Sequence, residues 1–252
     1  MYIEKAFVES LEKMGEDTFL IKVFSPAISC IVKPGQFCNI KVSENDYPLL
    51  RRPFSVCNVD GDYLFFLFDL HGIGTKLLSM KKNGDSIELL GPLGKGFVYD
   101  DQYDTAVIVA GGLGAAPFPF LIKNMEPEKN IITLLGGRSK NNLVTYGLKN
   151  VSAATDDGSE GFNGNVVELL KSRIGEISSG KFRIFGCGPN PMLKALQEYC
   201  IENNFDCQIS VECAMACGFG ICQGCPIDSA EGVSYLLVCK DGPVFNASQV
   251  KL

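Results

Sequence analysis

Four cysteines toward the end of the chain have a spacing that can do chemistry. Cys217, Cys222, Cys225 and Cys239 read C-x4-C-x2-C-x13-C, the ligand spacing of plant-type [2Fe–2S] clusters. Two sulfide-bridged irons need four thiolates converging on a small volume, so the loop that presents them must bend sharply. Gly218, Gly220 and Gly224 are placed to supply left-handed backbone there and to leave amide N–H groups pointing at sulfur. Structural zinc also takes four thiolates, but it more often pairs them as two CxxC knuckles, and this set contains one. One-electron chemistry is therefore favoured, with zinc as the alternative.

Four other runs carry binding signals. Arg52-Pro53-Phe54-Ser55 sets a cation, a fixed turn, an aromatic ring and a hydroxyl within four residues. Gly72-Ile73-Gly74-Thr75 is a glycine turn before Lys76-Leu77-Leu78, where a helix N-terminus would offer N–H groups to a pyrophosphate. Gly111-Gly112-Leu113-Gly114-Ala115-Ala116-Pro117 sits between an apolar run and a helical pattern, and Pro117, in place of the third glycine of GxGxxG, is well tolerated at a helix start. A second strand end, Gly186-Cys187-Gly188-Pro189-Asn190-Pro191, has the same grammar, and two glycine-rich strand ends in one parallel sheet suggest a dinucleotide crevice. Each of these runs alone also fits a plain turn, a surface ion pair or glycine required only for packing.

The elements that must position these residues change character along the chain. Up to about residue 100, short alternating segments such as 19–24 and 63–68 are punctuated by Pro34-Gly35, Asp60-Gly61-Asp62 and Asn83-Gly84-Asp85, the pattern of a small antiparallel barrel. After Asp104, apolar strands at 106–110, 131–135 and 182–185 alternate with helical patterns at 117–125, 166–171 and 191–203. That is βαβ grammar and predicts a parallel sheet. The expected domains are a barrel over 1–101, an α/β domain over 102–209 and a cysteine-rich module over 210–252.

Composition narrows the partners and the compartment. The 252 residues are 46% hydrophobic and 21% charged, as expected for packed globular domains. A net charge of −6 without Lys/Arg clusters excludes nucleic acid as the expected partner. No apolar run approaches the ~18 residues that span a bilayer, and the N-terminal residues lack the pattern of a secretion signal. Eleven cysteines, an odd number, then argue for reduced thiols and metal ligation in a cytoplasmic chain, with Asn246-Ala247-Ser248 a chance sequon. HExxH, GxSxG and any spaced Cys–His pair are absent, so no acid–base constellation is indicated.

In this order, the Arg-x-aromatic-Ser run, the GxGxxP-like loop, the Cys-Gly-Pro strand end and the C-terminal cysteine module resemble the ferredoxin–NADP reductase superfamily. Gly74-Thr75, Thr155-Asp156-Asp157-Gly158-Ser159, Met215-Ala216-Cys217-Gly218 and Cys239-Lys240-Asp241-Gly242-Pro243 narrow the resemblance to the electron-transfer subunits of class 1B dihydroorotate dehydrogenases, over nearly the whole chain.

The resemblance implies that Arg52, Pro53, Phe54 and Ser55 bind FAD, with Ser55 near the reactive face of the ring. It puts Leu67, Phe68 and Asp69 along the flavin edge, and Gly74 and Thr75 at the pyrophosphate. Gly111, Gly112 and Gly114 would approach NAD, with Cys187, Gly188 and Pro189 beside the nicotinamide, and Cys217, Cys222, Cys225 and Cys239 would hold the [2Fe–2S] cluster. Nicotinamide exchanges two electrons and a cluster one, so FAD is expected between them. The implied partner is an FMN-containing dihydroorotate dehydrogenase catalytic subunit, in a heterotetramer serving pyrimidine biosynthesis. The course expected is dihydroorotate, partner FMN, cluster, FAD, NAD.

The alternative is an NAD(P)H-linked subunit serving a glutamate synthase-like or electron-bifurcating partner, and Arg138 after the second strand keeps NADP open. Two residues depart from the family pattern. Asp69 stands where an arginine is common, with His71 as its possible compensation, and Cys213, where serine is expected, reads as a small buried residue.

Overall fold

The computed structural model describes residues 1–45, 47–99, 102–125, 127–177 and 180–252. Seven strands build the first sheet: β1 (Tyr2–Lys13), β2 (Thr18–Phe24), β3 (Phe37–Lys41), β4 (Arg52–Ser55), β5 (Asn58–Asp60), β6 (Tyr63–Asp69) and β7 (Ser86–Leu93). All pairings are antiparallel, in the order β4-β3-β7-β1-β2-β6-β5.

Alternation decides which face each residue takes. Leu64, Phe66 and Phe68 of β6 point into the core and are fully buried, while Tyr63 and Phe65 are half-buried on the other face. Register shifts between Val8 and Ser10 and between Phe37 and Asn39 add curvature. The sheet curls until β4 comes against β6, with the Phe54 and Phe68 ring centroids 5.8 Å apart. The expected barrel is thus a curled half-barrel with β4 and β5 as its edges. Two short helices, α1 (Pro26–Ser29) and α2 (Ile73–Leu78), sit in its connections.

The second sheet holds β8 (Thr105–Gly111), β9 (Asn130–Gly137), β10 (Val151–Thr155), β11 (Phe162–Asn163), β12 (Phe182–Cys187) and β13 (Cys207–Ser210), parallel throughout and ordered β11-β10-β9-β8-β12-β13. Helices cover both faces, so the central strand β8 is a continuous apolar run. Val107 and Val109 pack toward α4 (Val166–Ile177) and α5 (Asn190–Glu202), and Ala106, Ile108 and Ala110 pack toward α3 (Phe118–Met125). The chain leaves β8 toward β9 and later returns on the other side as β12. The gap between β8 and β12 is therefore the topological switch point.

The cysteine-rich segment adds a small antiparallel sheet of β14 (Pro226–Ser229), β15 (Tyr235–Leu237) and β17 (Val250–Lys251). Between them α6 (Val238–Asp241) carries Cys239, and β16 (Val244–Asn246) pairs antiparallel with β13, completing the edge of the second sheet. β13 runs one residue beyond the division expected at 209/210. The division expected at 101/102 falls beside residues 100 and 101, outside the described residues.

The two sheets are packed together. Phe120 of α3 enters the core of the half-barrel, Ala116 is buried with Leu20, Cys57 and Leu67, and Lys123 Nζ donates to the Val59 carbonyl at 2.7 Å. No helix among the described residues is long and apolar enough to cross a membrane.

Candidate functional site

A cleft of about 580 Å³ opens between the half-barrel, the switch-point turn and the cysteine-rich segment. Its near wall is made of Arg52, Pro53, Phe54 and Ser55 from β4, Leu67, Phe68 and Asp69 from β6, and Gly74 and Thr75 from α2. Every residue expected to hold FAD therefore lines one cavity, of a size ordinary for a cofactor.

The near wall is flat and apolar on one side and cationic on the other. Phe68 stacks on Phe19 at 5.7 Å and meets Phe54, fixing an aromatic floor. Arg52, whose guanidinium donates to the Leu50 carbonyl, lies against the first turn of α2 so closely that a Cβ on Gly74 would fall 2.6 Å from its Nε. The approach sets a guanidinium beside a helix N-terminus, both favourable to an anion. Thr75 Oγ1 accepts from the N–H groups of His71 at 2.9 Å and Gly72 at 3.2 Å, holding the turn in shape. Asp69 does lie in the lining, with its carboxylate accepting from Thr18 Oγ1 at 2.6 Å. His71 lines the same cleft and is exposed.

The far wall mixes residues of quoted motifs, to which no place in the cleft was given, with residues outside any motif. Leu113 and Ala116 come from the turn after β8, Ser210, Val211 and Glu212 from the end of β13, and Cys213, Met215 and Pro243 from the cysteine-rich segment. The end of a parallel strand beside a switch point was the available signal for Ser210 to Glu212. Glu212 keeps solvent contact because it lines an open cleft, yet it is crowded closely enough that desolvation raises its carboxyl above the ordinary range.

The residues expected at NAD meet at the adjoining ends of β8 and β12, where Ala110 pairs with Cys187. A Cβ on Gly114 would come 2.6 Å from the Cys187 carbonyl carbon and from the Gly188 Cα, and one on Gly111 would come 2.6 Å from Met192 Sδ. These two glycines let the strand ends touch. Gly112 differs: its φ is +53 and nothing lies within 4 Å of a Cβ built there, so its left-handed backbone faces open space. The turn at 112–115 is a 3-10 helix, and α3 begins one residue beyond Pro117. Cys187 is buried, and burial, followed by the charge of Glu212, pushes its thiol well up. None of Gly111, Gly112, Gly114, Cys187, Gly188 and Pro189 lines the 580 Å³ cleft, although Leu113 and Ala116 between them do.

All eleven cysteines are free thiols, and the four spaced ones fall into two pairs. The Cys222 N–H points at Cys217 Sγ at 3.5 Å. Cys225 Sγ lies 3.1 Å from Cys239 Sγ and accepts from the Cys239 N–H at 3.4 Å. Among the described residues no three His, Cys, Asp or Glu side chains are grouped tightly enough for one metal ion. Two separate thiol pairs suit a two-iron cluster better than mononuclear zinc, since each iron takes two of the four thiolates.

The loop's backbone fits anionic sulfur as well. Desolvation would raise the Cys217 thiol, but N–H groups of Cys222, Phe219 and Ile221 outweigh it and bring it down to about 6. Cys239 goes the other way, to about 12, through desolvation and its neighbour Cys225. Gly218 and Gly220 have φ of +81 and +91, as the loop requires. Gly224 does not: the third left-handed residue is Gln223, at φ +58, and a Cβ on Gly224 would make only ordinary contact with Cys222 Sγ at 3.4 Å. Asn39 of β3, itself buried, donates to the Cys217 carbonyl at 3.3 Å and ties the loop to the half-barrel.

Cys213 is not the buried residue expected. It is only partly buried and lines the cleft; desolvation, followed by the nearby Cys225, pushes its thiol up to about 11.

Comparison with known proteins agrees with this layout. Residues 212–251 match the iron-sulfur cluster binding domain of dihydroorotate dehydrogenase B. A protein of Caldanaerobacter subterraneus subsp. tengcongensis named dihydroorotate dehydrogenase B (NAD(+)), electron transfer subunit, is 42% identical over 221 residues, 86% of each chain. Its namesake from Desulforamulus reducens is 35% identical over 255 residues, 97% of each chain. Among solved structures, an NADH-dependent reduced ferredoxin-NADP oxidoreductase studied for flavin-based electron bifurcation superposes with a TM-score of 0.85 at 27% identity, covering 97% of this chain and 89% of that one. A ferredoxin NADP+ reductase from Neisseria gonorrhoeae with bound FAD and NADP shares the fold at a TM-score of 0.66 and 18% identity, over 79% of this chain and 91% of its own. With identity of this order sustained across almost its whole length, the chain belongs to the family of electron transfer subunits of dihydroorotate dehydrogenase B.

Proposed function

We propose that this chain couples dihydroorotate oxidation on an FMN-containing catalytic subunit to NAD+ reduction, as the electron-transfer subunit of a cytoplasmic heterotetramer in pyrimidine biosynthesis. One observation carries the reading: the cleft collecting every residue expected at FAD shares Cys213 and Met215 with the segment that presents the two thiol pairs. Bound there, FAD and a [2Fe–2S] cluster supply the junction between two-electron hydride chemistry and single-electron transfer.

The chain's own residues bind, orient and exclude water. Arg52 and the first turn of α2 take the anionic tail of FAD, and Phe54, Leu67 and Phe68 give its ring an apolar wall. The open left-handed turn at Gly112 receives the dinucleotide, while Gly111 and Gly114 keep the ends of β8 and β12 together beneath it. Cys217, Cys222, Cys225 and Cys239 would hold the cluster, with N–H groups of the loop offsetting thiolate charge. No residue is assigned a proton-transfer role.

The test is anaerobic purification followed by iron and flavin analysis. A brown-yellow protein whose visible bands bleach with NADH, and which forms orotate only with a catalytic partner, is expected. A colourless zinc protein, or orotate made by the chain alone, refutes the reading. The close superposition on the bifurcation-linked oxidoreductase supports a second reading, an NAD(P)H-linked subunit of another partner. Copurification and the rate ratio with NADH and NADPH separate the two.

A further inference from the structure

The run Thr155-Asp156-Asp157-Gly158-Ser159 has so far been given no task. The fold brings it to the carboxyl edge of the second sheet, beside the turn assigned to the dinucleotide. Gly111 pairs with Gly136 and Gly137 with Thr155, so the chain leaves β8, β9 and β10 at neighbouring points, at Gly112, Arg138 and Asp156. The Asp156 N–H donates to the Gly137 carbonyl at 3.1 Å and the Asp157 N–H to the Arg138 carbonyl at 3.2 Å, which fixes Arg138 and Asp156 side by side.

Most of the charge at this edge is already engaged. Lys140 Nζ lies 3.0 Å from a Glu160 carboxylate oxygen. The Asp157 carboxylate accepts from the Ser159 N–H at 3.0 Å and from Ser159 Oγ at 2.5 Å, and Ser159 Oγ in turn accepts from the Lys140 N–H at 2.8 Å. Arg138 and Asp156 differ. Both are exposed, and among the described residues neither side chain has a hydrogen bond or an ion pair.

We propose that Asp156 selects NAD over NADP. Its carboxylate accepts a hydrogen bond from the adenosine ribose 2′-hydroxyl and repels the phosphate that NADP carries there. The reach is right: from Cys187 on β12 across β8 and β9 to β10 is three strand spacings, about 14 Å. A dinucleotide with its nicotinamide at Cys187 and its pyrophosphate on the Gly112 turn thus carries its adenosine onto Arg138 and Asp156. Arg138 alone would welcome a 2′-phosphate, and Asp156 beside it withdraws that welcome. The inference deepens the dinucleotide assignment made above and rests on it.

The experiment uses the intact holoprotein as wild type, Asp156→Asn, Asp157→Asn and the double variant Arg138→Ala/Asp156→Asn. Calorimetric titration with 5′-ADP and 2′,5′-ADP reads binding, and ferricyanide reduction with NADH and NADPH reads turnover. Wild type is expected to favour 5′-ADP and NADH. Asp156→Asn should move both ratios about tenfold or more toward the 2′-phosphorylated compound, the contribution of one charged contact. Adding Arg138→Ala should cancel most of that gain, while Asp157→Asn, whose carboxylate is turned to Ser159, should leave the ratios unchanged. Unchanged ratios in flavin-loaded Asp156→Asn, an equal shift in Asp157→Asn, or a wild type that prefers NADPH overturns the proposal. A flavin-loaded wild type that binds neither ADP and is bleached by neither NADH nor NADPH defeats the dinucleotide assignment instead, a distinguishable failure.

Discussion

Gly112 and Gly114 are two residues apart in one turn, yet the structure gives them different tasks, and alanine substitution separates these. At Gly114 the new Cβ would sit 2.6 Å from the Cys187 carbonyl carbon and 2.6 Å from the Gly188 Cα, and closer still to the Cys187 oxygen. All three are backbone atoms, so no side chain can rotate away. Ordinary carbon contacts need roughly 3.5 Å, so the ends of β8 and β12 must part by about 1 Å. Overpacking of this kind costs about 1–3 kcal/mol, and immobile neighbours place Gly114→Ala at roughly the upper end. At about 2–4 °C per kcal/mol for a chain of this size, its melting temperature should fall by roughly 6–12 °C. Gly112→Ala meets nothing within 4 Å and bears only the left-handed strain of φ +53, about 1–2 kcal/mol. Because its turn faces open space, its main effect should be a raised KM for NADH. Thermal unfolding and NADH–ferricyanide kinetics on both variants decide the matter. Equal stability of the two, or an unchanged KM in a folded Gly112→Ala protein, refutes the division of labour.

The remaining predictions concern the other walls of the site. Arg52→Ala should weaken FAD retention about tenfold or more, since a charge-assisted bond contributes roughly 1.5–3 kcal/mol, as measured by flavin release on dilution. Asn39→Ala frees the cluster loop from the half-barrel and should speed iron loss to a chelator while FAD stays bound. In protein stripped of iron under anaerobic conditions, iodoacetamide should label Cys217 readily down to about pH 6, because loop N–H groups outweigh desolvation there, while Cys38, Cys57 and Cys187, buried with raised thiols, stay unlabelled at neutral pH. Desolvation raises the Glu212 carboxyl in the folded chain, so its stabilising contribution is complete below the ordinary carboxylate range and disappears as pH rises through the raised value. Glu212→Gln should accordingly gain urea stability relative to wild type at pH 7 and not at pH 4.

What could be read from the sequence was what local physics dictates. Thiolate spacing is a property of one loop, and the left-handed Gly218 and Gly220 follow from it, whereas the pairing of Cys217 with Cys222 and of Cys225 with Cys239 emerges only in the fold. Apolar runs alternating with helical patterns likewise announced the parallel sheet. Spacing does not reveal which backbone atom presses on a glycine. Gly224 was expected to turn left-handed, and Gln223 does so instead. The far wall of the cleft stayed hidden because Ala116, Ser210, Met215 and Pro243 come from segments distant in the chain, and no local pattern shows that they converge. Cys213 looked like buried filler, and the fold instead leaves it partly exposed in the wall of the cleft.

After the excursion that carries the cysteines, the chain comes back and lays β16 along β13 as the last strand of the nucleotide-side sheet. The relay is thus not a detachable cartridge. A protein cut after Ser210 would lose its metal loop and also expose the unpaired flank of β13, an invitation to edge-to-edge association. Grafting the loop onto another reductase would call for the returning strand as well, so inheritance of the two parts as one piece is what the topology demands.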